Sequence, residues 1–176
     1  VTASGITTLT GSASQIAAAA TADSNGTLVL GNFAATVGSG AVSAADLTTI
    51  STQTSGTVNA TAATAINGTA SAVATALADT EITHSSTFDV TLTAGSVAAT
   101  DLTAIDAATT KVVDGSAITT ITGSAAAIAA AATLDADVQT TNIADDFAAT
   151  VGAGAVSAAD LSTISARTSG TVNATA

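Results

Sequence analysis

The nineteen residues from Phe33 to Ser51 recur almost unchanged from Phe147 to Ser165, 114 positions further along the chain. Over a longer stretch, residues 32–62 and 146–176 are identical at 26 of 31 positions. A catalytic site gains nothing from a second copy of its scaffold, whereas an array of stacked units is built from such copies. The duplication therefore favours an architecture of stacked repeats.

Two short patterns alternate along the chain and divide it into three repeats. The first pattern is found in "ITTLTGSASQIAAAA", "ATAINGTASAVATAL" and "ITTITGSAAAIAAAA", and the second in "GAVSAADLTTI", "GSVAATDLTAI" and "GAVSAADLSTI". Glycines of the first pattern and aspartates of the second return every 55 to 59 residues. We accordingly place the repeats at residues 1–57, 58–112 and 113–176 of one continuous array.

Each first pattern predicts a short strand that ends in glycine and is followed by a helix. The helix opens with Ser12, Thr69 or Ser124. A hydroxyl at this position accepts a hydrogen bond from an unpaired amide of the first helical turn. This pattern therefore contributes one strand and one helix to each repeat.

Each second pattern predicts a strand, a glycine-rich turn and a second helix. Apolar and polar residues alternate over 33–37, 88–92 and 147–151, as in a half-buried strand. Ser43 and Asp46 predict a short capping box at the helix start, and Ser157 and Asp160 repeat it. The middle repeat has Ala98 at the cap position, and we expect that helix to start less firmly.

The helices of the second pattern carry a narrow apolar stripe, with a leucine and an isoleucine three residues apart. We expect all six side chains to be buried: Leu47 and Ile50, Leu102 and Ile105, Leu161 and Ile164. One strand and one helix in roughly 26 to 33 residues is typical of solenoid coils. The sequence therefore predicts an α/β solenoid with a parallel sheet, two coils per repeat of about 57 residues and about six coils in all.

Composition and charge exclude several classes of function. Thirteen acidic residues stand against two basic ones, a net charge of −11, which argues against nucleic acid and anionic membrane surfaces as partners. The apolar runs are far shorter than a membrane span requires, so we expect no membrane insertion. The core must be built from Ala, Val, Ile and Leu with only three Phe, and such small side chains pack densely only in a close, regular arrangement.

Few residues in this chain carry chemistry. His84, the only histidine, lies in "EITHSSTF", and we interpret it as a solvated loop residue, because no nucleophile motif accompanies it. Asp46, Asp101 and Asp160 are interpreted as helix-start charges that the helix dipole favours. We predict that the chain is not an enzyme.

One acidic loop is a candidate metal site. "LDADVQTTNIADD" supplies Asp135, Asp137, Asp145 and Asp146. In a chain without Cys, oxygen is the plausible ligand type, and calcium is the cation that such carboxylates select. We expect calcium to stabilise the fold without being required, and the alternative is that these aspartates are solvated loop charges.

The repeat units resemble the arrays of very large secreted proteins of cyanobacteria and other aquatic bacteria. The resemblance lies in "ITTITGSAAAIAAAA", "VSAADLSTI" and "SGTVNATA" and extends over essentially the whole chain. It implies a structural segment of an extracellular or cell-surface filament, surface layer or adhesin, and it carries over no catalytic or binding residue. The alternative is an ice- or surface-binding module that uses ranks of outward threonines. The ranks are Thr57, Asn59 and Thr61, repeated by Thr171, Asn173 and Thr175, although the middle repeat breaks them with Val112, Asp114 and Ser116.

The chain begins and ends in the same phase of the repeat. Val1, Val58, Val113 and Val172 are equivalent, the first residue is not Met, and neither end looks like a capping segment. We therefore expect a piece of a longer array, or a subunit whose partner is a further copy or flanking repeat joined head to tail.

Overall fold

A computed structural model describes residues 1–134 and 141–174 of the chain. Six α-helices in this part alternate with short strands, and each helix together with the strands that lead to it is called a coil. The helices are α1 (Ala13–Ser24), α2 (Ala44–Gln53), α3 (Ala70–Ala78), α4 (Ala99–Ala108), α5 (Ala125–Leu134) and α6 (Ala158–Arg167). Successive helices pack against each other, so that α2 to α5 each have a helix on both sides. The expected alternation of strands and helices is confirmed.

Thirteen short strands in the described part precede and follow these helices. They are β1 (Thr8–Gly11), β2 (Ala34–Val37), β3 (Gly40–Ser43), β4 (Val58–Asn59), β5 (Ala63–Gly68), β6 (Ile82–Thr83), β7 (Asp89–Leu92), β8 (Gly95–Ala98), β9 (Val113–Gly115), β10 (Ile118–Gly123), β11 (Thr141–Ile143), β12 (Ala148–Val151) and β13 (Val172–Ala174). The strands β2, β7 and β12 fall where alternation predicted them.

The strands form three parallel sheets instead of the single sheet that the sequence predicted. Their orders are β1-β2-β4-β6, β3-β5-β7-β9-β11 and β8-β10-β12-β13. Every pairing between named strands is parallel, and each one joins strands of successive coils, for example Ala65 with Asp89 and Val90 with Val113. The parallel arrangement is confirmed, because a chain that returns through a helix reaches the next strand in the same direction.

The sheets overlap because single coils contribute strands to more than one sheet. The coil that leads to α4 contributes β6, β7 and β8, one to each sheet, whereas the coil that leads to α5 contributes only β9 and β10. The middle and last sheets therefore begin at the glycine-rich turns of the second pattern, with β3 and β8. Paired strands lie about 4.8 Å apart and packed helices about 8–10 Å apart, so one strand ladder does not stay in step with the helices over many coils.

Hydroxyl caps begin most helices, but neither of the two predicted second-pattern capping boxes forms. The Ser12 hydroxyl accepts from the amide of Gln15, and the Gln15 side-chain oxygen accepts from the amide of Ser12. Thr69 and Ser124 cap α3 and α5 by accepting from the amides of Ala72 and Ala127, without a reciprocal side-chain bond. Ser43 makes no side-chain cap bond, although Asp46 does lie in the first helical turn.

At the other second-pattern helices, the cap predictions have mixed outcomes. Ser157 accepts a bond from the amide of Ala159, one residue earlier than a capping box requires, and Asp160 lies in the first turn of α6. Ala98 makes no side-chain cap, as the sequence predicted, and Asp101 lies in the first turn of α4.

Small aliphatic side chains and the three phenylalanines form the core between sheets and helices. Leu47, Leu102 and the isoleucines of the same stripes are fully buried, as predicted. The prediction for Leu161 is wrong, because this side chain is only half buried. Within the described residues α6 packs against α5 alone, so one side of α6 lacks the neighbour that covers α2 and α4.

Candidate functional site

The structure describes half of the predicted calcium loop. Asp145 and Asp146 are exposed just before β12, while Asp135 and Asp137 lie outside the described residues. Among the residues the structure describes, no three acidic or histidine side chains meet in a group that could hold a metal ion. Calcium binding by this loop therefore stays a prediction.

A shallow pocket lies at the end of α6 beside this loop. Asp145, Arg167, Thr168 and Ser169 line it, together with Ala166. The equivalent position at the end of α2 has a similar pocket that includes Asp23 and the residues 52–55. The pocket is thus repeated with the coil, as expected of a surface feature of the architecture.

His84 lies in a loop, as predicted, but it is half buried and not simply solvated. Its Nδ1 donates to the carbonyl of Ser85 at 2.8 Å, because a carbonyl oxygen can only accept. The ring packs edge-on against Phe88, with ring centroids 5.4 Å apart. These two contacts give the histidine a packing role at the start of a coil.

Of the Thr and Asn residues considered for surface binding, Asn59 and Thr61 bond to each other, and Thr175 lies outside the described residues. Asn59 Oδ1 accepts from the amide of Thr61 at 3.1 Å and from its hydroxyl at 2.7 Å. Asp114 and Ser116 repeat the arrangement one repeat later. These groups stabilise a turn between two strands, which reduces what they offer to an external surface.

A threonine directly after each second-pattern helix bonds back to the phenylalanine that precedes the strands of the same coil, a feature that the sequence did not predict. Thr54 and Thr109 are buried, and Thr168 is half buried. Thr109 donates from Oγ1 to the carbonyl of Phe88 at 2.5 Å and accepts from the amide of Lys111 at 3.1 Å. Thr54 and Thr168 make the same two bonds with their own repeats. The Phe–Thr spacing of 21 residues is constant in all three repeats and is visible in the sequence.

The two copies of the duplicated stretch differ in what covers them. Gly40–Ser43 forms β3 and pairs with β5. Gly154–Ser157 has the same four residues but forms no strand. Val42 is 6% exposed, whereas the equivalent Val156 is 37% exposed. Since the sequences agree, the neighbouring coil is what makes the difference.

We call this open surface the tail face and define it by Gly154–Ser157 together with Ala158 and Leu161 of α6. Ala158 is exposed, whereas its counterpart Ala44 is fully buried. In the interior, β5 and α3 cover the corresponding surface. The tail face is therefore an apolar surface whose natural cover is visible elsewhere in the same molecule.

A second open surface, the head face, lies at the other end of the array and is defined by the free edge of β1 with Ile6, Leu9 and Ala19. The strands β5 and β10 each have two neighbours, whereas β1 pairs only with β2 in the described part. Ile6 is 37% exposed and its counterpart Ile118 is 2% exposed. The head face is therefore open because, in the described part, β1 lacks a second-pattern strand such as β3 on its free edge. Gly154–Ser157 of the tail face has the sequence of such a strand.

No family model, curated protein or solved structure matches the chain. Among the described residues, no helix combines the length and the apolar character that crossing a membrane requires.

Proposed function

We propose that the chain is a structural segment of an extracellular filament, surface layer or adhesin-like giant protein. In this proposal the coils form an α/β solenoid of about six turns, two per repeat of about 57 residues. The segment continues at both ends into further coils of the same kind, which belong to the same chain or to another copy. Its role is mechanical, without catalysis and without a required cofactor.

One observation carries this proposal: identical sequence is covered by a coil at β3–α2 and open at the tail face. A coil of this kind buries only part of its apolar surface by itself, and the next coil supplies the rest. Parallel ladders join successive coils through backbone hydrogen bonds, and the repeated threonine hydroxyls add a side-chain bond to the carbonyl of the phenylalanine in each repeat. The net charge of −11 favours solubility outside the cell.

A tandem chain tests the continuation of the solenoid. Because Val172 has the phase of Val1, residues 1–171 are followed directly by a second copy of 1–176. Hydrogen exchange is then measured on peptic peptides that begin at Ala153 and cover the tail face. The tandem contains this segment once at the junction and once at its free end. Half of the Ala153 peptide molecules should therefore exchange slowly, and the other half should exchange as fast as in the single chain.

Peptides that begin at Ser39 provide the matched control, because the corresponding surface is already covered in a single copy. They should exchange slowly in the single chain and in the tandem alike. Uniformly fast exchange of the Ala153 peptides in the tandem would contradict the proposal.

A further inference from the structure

We propose that the head face of a second, separate copy of this chain docks on the tail face by adding β1 to Gly154–Ser157 in a defined register. This inference rests on the proposed function and goes further, because it names the partner as a free copy and specifies which residues meet. The occupant is argued from the interior of the molecule, where two equivalent junctions are already formed.

The interior junctions give the register. Ala41 of β3 pairs with Ala65 of β5, and Val42 pairs with Ile66. The next junction repeats this pairing, with Ser96 opposite Thr120. Ala155 is equivalent to Ala41 and Ser96, and Thr8 is equivalent to Ala65 and Thr120. The same pairing between docked copies therefore places Ala155 of one copy opposite Thr8 of the next.

The same shift places apolar partners opposite each other. In the interior, Val97 lies opposite Ile121 and both are buried. The equivalent pair across the docked copies is Val156 and Leu9, which are both partly exposed in the single chain. Docking therefore buries on each side the side chains that the isolated chain leaves open, and apolar burial is the driving force for association.

The sheet at the head end is completed by this docking. The first sheet has four strands, β1-β2-β4-β6, whereas the middle sheet has five and begins with β3. Gly154–Ser157 has the sequence of β3 and supplies the missing first strand. The junction then has the strand order of the middle sheet.

Docking also requires an exchange of strands at the junction. Ala3 donates its amide to the carbonyl of Val29 at 2.7 Å, and Val29 donates its amide to Val1 at 2.8 Å. Residues Val172–Ala174 of β13 in the preceding copy are equivalent to Val1–Ala3, so the two segments compete to pair with Val29. In the docked state β13 pairs with Val29, so release of Val1–Ala3 limits the rate of docking.

Cysteine pairs test the register, because the chain has no cysteine of its own. A chain carrying Ala155→Cys is mixed with a chain carrying Thr8→Cys under mild oxidation in moderate salt, which screens the repulsion between acidic copies. Paired residues on neighbouring strands lie about 4.8 Å apart, within the range a disulfide spans. The mixed disulfide should be the main product by intact mass.

Thr10→Cys is the matched control for Thr8→Cys, since both threonines are exposed on β1. Thr10 lies two residues along β1 from Thr8, so residues 155 and 10 lie about 8 Å apart across the junction, beyond disulfide reach. We expect at least a tenfold slower mixed disulfide for the Thr10→Cys chain. In the Thr8→Cys chain, Ala3→Pro removes the amide bond to Val29 and should accelerate cross-linking severalfold.

The result that overturns this inference is a mixed disulfide no faster for Thr8→Cys than for Thr10→Cys, with or without Ala3→Pro. Protection of the junction in the covalent tandem, together with that result, would retain the structural role and reject docking of free copies. Failure of both experiments would reject the structural role as well.

Discussion

Truncation of two equivalent leucines measures how much a neighbouring coil contributes. Leu47 of α2 is fully buried, whereas Leu161 of α6 is half buried in the same local sequence. Leu47→Ala and Leu161→Ala remove the same atoms from the same kind of helix. Any difference between their effects therefore comes from the coil that covers α2 and not α6.

The expected magnitudes follow from burial. A fully buried leucine costs about 2–5 kcal/mol when replaced by alanine, since the lost transfer energy is increased by a residual cavity. We expect about 3 kcal/mol for Leu47→Ala. For Leu161→Ala we expect about 1 kcal/mol, because part of the side chain already contacts solvent and a neighbouring cavity relaxes more easily. In melting temperature these values correspond to about 6–12 °C and about 2–4 °C.

The assay is thermal and urea unfolding followed by far-ultraviolet circular dichroism at low micromolar concentration, so that association of copies does not contribute. Both variants are compared with the parent chain in the same buffer. Equal destabilisation by the two substitutions would refute the reasoning, because it would mean that the next coil adds nothing to burial of this position.

Three further predictions concern other parts of the coil. Thr109→Val keeps the side-chain shape but leaves the buried carbonyl of Phe88 without its donor, and should cost about 1–3 kcal/mol in urea unfolding; an unchanged midpoint would contradict the role of this bond. Gly56→Ala places a methyl group against the carbonyl oxygen of Phe33 and should cost about 1–3 kcal/mol in the free energy of unfolding. Gly5→Ala, which has open space around it, is the control and should leave the melting temperature unchanged. Calcium should bind the carboxylates of the loop 135–146 and raise the melting temperature without being required for folding, and titration calorimetry that shows no heat at millimolar calcium would remove this prediction.

The sequence predicted the local elements well because the repeats supply independent copies of each signal. Alternation located β2, β7 and β12, and hydroxyl residues before alanine runs located the starts of α1, α3 and α5. These features depend on a few neighbouring residues and on the backbone they favour. They are therefore legible in the chain without knowledge of its tertiary contacts.

The arrangement of three sheets was not predictable in the same way. It depends on the difference between strand spacing and helix spacing, and on which coil pairs with which. The half-buried state of Leu161 has a similar origin, because its local sequence equals that of the buried Leu47 and only the neighbouring coil differs. The buried Thr109 was missed although its spacing from Phe88 recurs, because a threonine-rich sequence gives no local sign of which hydroxyl lies inside.

The most direct test of the central claim is electron cryomicroscopy of a chain with three copies joined in phase. The account predicts a continuous particle in which helices follow one another without interruption and each junction shows a five-stranded parallel sheet like β3-β5-β7-β9-β11. Separate globular bodies joined by variable linkers, with Gly154–Ser157 unpaired at the junctions, would contradict it.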